Sequence, residues 1–330
     1  RAQAALERTK AAAKDPALVA HVDCDLQSFK SVRAAAAAVT ALGHPLDVLV
    51  NNAGVMGLKD VATGDGCDVQ MQTNHLSHFL LTSLLFPLIK QAADSNGQAR
   101  IVQHSSGMRQ YAAALDAKYL GKNGGNLGGN DSNGGFKGGR WARYAQSKLA
   151  NIAFTLALAD ELTKRGLNNI LSLCAQPGLA ATNLQIVNAK DDPSMNAVYG
   201  NLMTKAQSAE DGTLGILRAS VDPAAEIVAG SLLGPEKMTG PAVVQDPVAE
   251  QERVPVEARA VLWNVSLETV GLAAFFPGDA AVQTTEETAA PADDNAKTAT
   301  TTTDETATAD DAQPTVTTDD ATPAADSETK

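Results

Sequence analysis

Leu46-Asp-Val-Leu-Val-Asn-Asn-Ala-Gly-Val-Met56 is the stretch whose reading decides the fold. Leu46–Val50 is a short apolar run without polar alternation, the pattern of a strand covered on both faces. Asn51-Asn-Ala-Gly54 then stops it, because asparagine and glycine tolerate the backbone of a tight turn. A helical pattern follows from about Gly66 to Ala93, and the same rhythm extends both ways. Upstream, Ala17–Asp23 reads as a strand and Ser28–Leu42 as a helix. Downstream, Arg100–Ser105 is a third strand, a helix carries Tyr144 to about Arg165, and Asn169–Cys174 is a fourth. Strands separated by helices make βαβ units, hence a parallel sheet with helices on both faces. The expected class is α/β, a Rossmann-like doubly wound parallel sheet, and its ligands should sit beyond the carboxyl ends of the strands.

Two regions break the rhythm. Residues 121–139 hold nine glycines and read as a flexible insertion, since no fixed glycine register follows a strand directly. Residues 183–276 are poorer in pattern, with a short helix expected near Ala209–Val221, a strand near Thr239–Val244 and a closing segment at Leu262–Glu268.

The 330 residues suffice for one large core, and the net charge of −12 is unevenly spread. Residues 277–330 carry 13 acidic residues and 2 lysines, so −11 of the charge lies there. That stretch has no aromatic residue and reads as a disordered acidic tail following a domain at 1–276. The near-neutral body shows no nucleic-acid surface. Cys24, Cys67 and Cys174 are scattered, which fits a reducing intracellular compartment, the cytoplasm by default, and argues against a disulfide framework or zinc site. No metal is expected, and the spacing of His75 and His78 reads as helix packing. The run Phe79–Ile89 has 11 residues, too short to span a bilayer.

The chemistry lies in Arg143-Tyr-Ala-Gln-Ser-Lys-Leu-Ala-Asn151. Tyr144 and Lys148 are four apart on a helix and share a face. A free tyrosine titrates near ~10, and a nearby ammonium should pull that down, leaving a general acid/base for a substrate oxygen. Tyr-x-x-x-Lys alone is weak, and Asn51 with Gly54 could be a plain turn. The order of the pieces carries more: Asp25-Leu26, the Asn-Asn-Ala-Gly turn after a strand, Asn74 in the long helix, Ser105-Ser106 after the next strand, Tyr144 with Lys148, then Pro177-Gly178 and Thr182.

In this combination the chain resembles the short-chain dehydrogenase/reductases over roughly residues 1–272, most closely the retinol-dehydrogenase-like branch. The resemblance implies that Tyr144 exchanges the proton with the carbonyl or alcohol oxygen. Lys148 would lower the tyrosine pKa and bind the nicotinamide ribose, Ser106 would orient the substrate oxygen, and Asn74 would hold a water of a proton relay. Asn51, Ala53 and Gly54 would line the cofactor ribose, Asp25 and Leu26 the adenine, and Pro177, Gly178 and Thr182 the carboxamide and diphosphate. It implies an oxidoreductase of a retinoid-like, lipid or xenobiotic carbonyl or alcohol, using NADP(H) ahead of NAD(H), with a small-molecule substrate as partner and a homo-oligomer left open. The alternatives are a non-catalytic scaffold on a dehydrogenase fold and a protochlorophyllide-reductase-like enzyme. One departure stands out. The family's Thr-Gly-x-x-x-Gly-x-Gly turn does not occur here, and Arg1 opens inside a helical pattern. The expectation is therefore a sheet lacking its first βαβ segment, weak cofactor binding by the printed chain, and upstream residues that could include a targeting segment.

Overall fold

The computed structural model describes residues 2–122, 124–132, 135–223 and 226–279. Five strands lie in the order β1 (Val48–Asn51), β2 (Ala99–His104), β3 (Ile170–Ala175), β4 (Leu232–Gly234) and β5 (Val243–Val244). The pairings β1–β2, β2–β3 and β3–β4 are parallel, and β5 closes the sheet antiparallel to β4. Register sets Val50 beside Val102 and Gln103 beside Cys174, so the carboxyl ends of the first three strands are level.

The helices α1 (Ala2–Ala12), α2 (Phe29–Ala41), α3 (Val69–Met71), α4 (Ser77–Asn96) and α5 (Gly139–Lys164) precede β3. A π-helical turn at Gln72–Leu76 fuses α3 to α4. After β3 come α6 (Asn183–Asp191), α7 (Met195–Met203), α8 (Leu214–Val221), α9 (Pro247–Arg253) and α10 (Val256–Val270). Alternate strand residues face opposite sides. Ile101, Ile170 and Cys174 join the larger core with α4, α5 and α10, while Val102, Leu171 and Leu173 face α8. Phe79, Phe154, Trp263 and Phe275 pack edge-on or tilted at the centre of the larger core, with centroids 4.6 to 6.3 Å apart.

The fused helix Val69–Asn96 is long and apolar enough to cross a membrane by length and composition, but 72% of its most apolar window is buried inside the fold.

Several expectations are corrected. Ala17–Asp23 forms no strand. A 3₁₀ turn at Pro16–Leu18 leads into extended chain, with Leu18 83% exposed. A strand is held by its ladder, and among the described residues none pairs with this segment. β1 likewise bonds β2 alone among the described strands, and Val50 is 37% exposed. The glycine-rich insertion is tied down rather than free. Gly129 N–H donates to Asp60 at 2.8 Å, Asp60 N–H to Asn130 at 2.6 Å, and Gly124 N–H to the Gly66 carbonyl at 2.8 Å. Arg143, wholly buried, holds Asp68 at 3.1 Å and the Leu58 carbonyl at 2.8 Å beneath it. The sequence boundary for the acidic tail falls at 277, and from residue 280 onward that tail lies outside the described residues.

Candidate active site

Helix α5 is buried along nearly its whole length, and Tyr144 and Lys148 face the ends of β1 and β2 from it. Ser105 Oγ donates to the Lys148 carbonyl at 2.7 Å, which fixes the helix against the end of β2. Ser106 caps a 3₁₀ turn, Gly107–Tyr111, accepting the Met108 N–H at 3.2 Å. Its hydroxyl faces the Tyr144 hydroxyl closely enough to lower that group's pKa. Lys148 Nζ donates to the His104 carbonyl at 2.8 Å and stands 5.9 Å from the Tyr144 ring centroid.

Burial pushes the Tyr144 hydroxyl up to about 12, against the lowering effect of Ser106. Burial likewise pushes the Lys148 ammonium down to about 8. The expected lowering of the tyrosine by the lysine is corrected here: desolvation of the phenolate dominates, and Ser106 is the group that opposes it. Tyr144 holds its proton at neutral pH, as a proton donor must.

Asn74 occupies the π turn. Its amide accepts from Val55 N at 2.8 Å and donates to the Val55 carbonyl at 2.9 Å and to Ser147 Oγ at 2.8 Å. Its own carbonyl accepts from Asn151 Nδ2 at 2.7 Å and from His78 Nδ1 at 3.1 Å. A side chain at Gly54 would come within 3.0 Å of Asn74 Oδ1 and 3.4 Å of Lys148 Nζ, so the turn after β1 closes onto both. Asn51 is buried and donates to Thr82 Oγ1 at 2.9 Å, its Oδ1 without a partner among the described residues, while Ala53 is exposed.

The structure thus brings together Ser106, Tyr144, Lys148, Asn74 and Gly54. It leaves Asp25 and Leu26 apart, at the start of α2. There Asp25 N–H donates to Ser31 Oγ and the Leu26 carbonyl accepts from Ser77 Oγ. Thr182 caps α6 in a capping box with Gln185, so its hydroxyl is already engaged. The Pro177 carbonyl accepts from Gln207. Gly178 is left-handed at φ 64°, and a Cβ there would meet the Met238 carbonyl at 2.5 Å.

Sequence reasoning missed Arg109. It is 1% exposed, and its guanidinium donates to the Ser106 carbonyl at 3.1 Å and to Gln176 at 2.8 Å, joining the Ser106 turn to the chain just before Pro177. Its place three residues after Ser106 was the only signal. Also missed was the cluster around Tyr144, made of Trp141, Met195 and Tyr199. Met195 and Tyr199 come from a stretch without a readable period.

The family model described as short chain dehydrogenase matches residues 1–127. Mouse polyprenol dehydrogenase is 34% identical over 217 residues, which is 66% of this chain and 60% of that protein. Human retinol dehydrogenase 14 is 37% identical over 162 residues, 49% of this chain and 42% of that one. A chloroplastic short-chain dehydrogenase of Brassica napus is 37% identical over 171 residues, covering 50% and 49%. The chain spans about half the length of the curated relatives it matches. Among solved structures, an uncharacterized protein from Mycobacterium paratuberculosis superposes with a TM-score of 0.53 at 28% identity, covering 76% of this chain and 74% of that one. With the sheet and these likenesses in hand, the chain is similar to the short-chain dehydrogenase family over its first 127 residues, and to polyprenol and retinol dehydrogenases over longer stretches.

Proposed function

We propose that the protein is an NAD(P)-dependent oxidoreductase of a carbonyl/alcohol pair, with Tyr144 as the proton donor or acceptor. The observation that carries this reading is the buried Tyr144 hydroxyl facing the Ser106 hydroxyl, one helical turn from Lys148. The family implies a nicotinamide cofactor. The residues at the strand ends fit the ribose and nicotinamide end of one: Lys148 has three donors, with one on the His104 carbonyl, and the turn at Gly54 comes close to it. When bound, the cofactor supplies or takes up the hydride.

The chain's own groups handle the proton and the charge. Tyr144 gives its proton to the carbonyl oxygen in reduction, and takes it from the alcohol in oxidation. Ser106 donates to the same oxygen and stabilises the charge that develops on it. Lys148 serves the tyrosine and the cofactor ribose, and Asn74 holds the relay behind it. Asn51 and Ala53 with Gly54 line the ribose side, Pro177 and Gly178 the carboxamide, Thr182 the diphosphate, and Asp25 and Leu26 the adenine. NADP(H) is preferred to NAD(H), following the branch. Substrates are retinoid-like, polyprenol-like or other lipid or xenobiotic carbonyls and alcohols, in keeping with the names of the relatives. The three cysteines are free, consistent with a reducing compartment.

The test is turnover with NADPH and NADH on long-chain aldehydes and ketones, for wild type and Tyr144→Phe. The variant keeps the ring and deletes the hydroxyl, so kcat should fall ~10²–10⁴-fold with cofactor affinity unchanged. Wild-type turnover in Tyr144→Phe would remove the proton-donor assignment.

A further inference from the structure

Four of the chain's six methionines gather at one place. Met195 is part of the buried cluster with Trp141, Tyr144 and Tyr199, and Met56, Met108 and Met203 pack against it. They arrive from three separate segments: after β1, after β2, and from α7. Methionine is unbranched and adaptable, which suits a surface that must fit ligands of varied shape better than a rigid core.

The rings are set edge-on. Trp141 lies 6.0 Å from Tyr144 at 85° and 4.7 Å from Phe136 at 82°. Three polar handles enter this apolar cluster. Tyr144 faces Ser106, and Tyr199 donates to Asn188 Oδ1 at 2.7 Å. The third, Trp141 Nε1–H, has no partner among the described residues, although Trp141 is only 1% exposed. A buried N–H left unpaired is costly, and tryptophan normally finds an acceptor when buried.

The cluster also has an approach from outside. A cleft of about 460 Å³ is bordered by Thr182, Ile186 and Met203, and one of about 410 Å³ by Val198, Leu202 and Lys205. Met203 and Val198 each line a cleft and pack against the Tyr144 cluster. Met203 thus stands between the larger cleft and the cluster that holds the tyrosine.

We propose that this methionine-rich cluster receives the apolar body of the substrate, and that Trp141 Nε1–H is its second polar anchor, selecting aliphatic carbonyl compounds with a further hydrogen-bond-accepting oxygen on the chain. The inference rests on reading Tyr144 as the group that meets the reacting oxygen. Trp141 lies one helical turn before Tyr144 on the same face of α5, so a single extended ligand reaches both.

Calorimetric titration with 2-dodecanone and its oxa-analogues, in which one ether oxygen replaces successive chain methylenes, tests this without turnover. In the wild-type protein at least one oxa-analogue should bind about five- to tenfold tighter than 2-dodecanone. In Trp141→Phe that preference should vanish while 2-dodecanone binds as before. An unchanged preference in Trp141→Phe, a wild type that disfavours every oxa-analogue, or no binding at all overturns the inference. Should Trp141→Phe fail to fold, the wild type still decides. Its two tryptophans give two indole N–H resonances, assigned with Trp263→Phe. The Trp141 signal should move downfield with the preferred analogue and stay with 2-dodecanone, and a signal that stays with both overturns the anchor. Binding and turnover separate the failures, since wild-type activity in Tyr144→Phe would end the proton-donor reading and leave the titrations untouched.

Discussion

Arg109 sets two guanidinium nitrogens on one carboxylate oxygen of Glu250, at 2.6 and 3.1 Å, with both side chains almost fully buried. The same guanidinium bonds the Ser106 carbonyl, so α9 is connected through one ion pair to the turn that places Ser106 beside Tyr144. A buried pair of this kind adds little net stability over an apolar pair, but breaking it strands a charge.

Glu250→Ala should therefore destabilise the protein by about 3–5 kcal/mol, leaving Arg109 buried without its counter-charge. The double variant Arg109→Met/Glu250→Met should recover most of that loss. Urea unfolding of the three proteins checks it, and a double variant as unstable as the single one would contradict the argument.

The buried histidines make the fold acid-sensitive. Desolvation lowers His75 to about 3, with His78 adding to the effect, and lowers His78 to about 4. The unfolded chain takes up these protons near pH 6.5, and the folded chain only near 3 to 4. Stability is thus intact above about 6.5 and lost as pH falls through that window, by up to ~1.4 kcal/mol per pH unit for each histidine. Urea midpoints at pH 7 and pH 5 should show the fall. His75→Gln, which cannot charge and can still bond Ser266, should flatten it by about one proton.

Lys148 works in the opposite direction. Its folded pKa of about 8 lies below the ordinary 10.5, so its burial costs stability below pH 8, and the cost is relieved as pH rises from 8 toward 10.5. Lys148→Met should be more stable than wild type at pH 7, by up to ~3 kcal/mol. That advantage should shrink by pH 10, and the variant should have lost nearly all turnover. Thermal melts across pH 7–10 beside an activity assay would reveal it, and a Lys148→Met protein that melts lower at pH 7 would refute the desolvation argument.

The sequence by itself determined the α/β class, the strands at Val48, Ala99 and Ile170, and the pairing of Tyr144 with Lys148 on one helix face. These are local matters: apolar runs, turn residues and a four-residue spacing are written in adjacent positions. It was also enough to set Ser106 and Asn74 at the strand-end side of the sheet. It misplaced the Ala17–Asp23 strand, because a strand's existence is decided by a neighbour's backbone groups and not by its own side chains. It read 121–139 as free chain, because Asp60 and Arg143, which tie that stretch, lie outside it in sequence. Only the tertiary structure decided the direction of the Tyr144 shift, the buried Arg109 clamp, the Trp141 N–H without a partner among the described residues and the convergence of four methionines on one ring. Burial and hydrogen-bond satisfaction depend on what the rest of the chain brings within a few ångströms, and no local pattern records that distance.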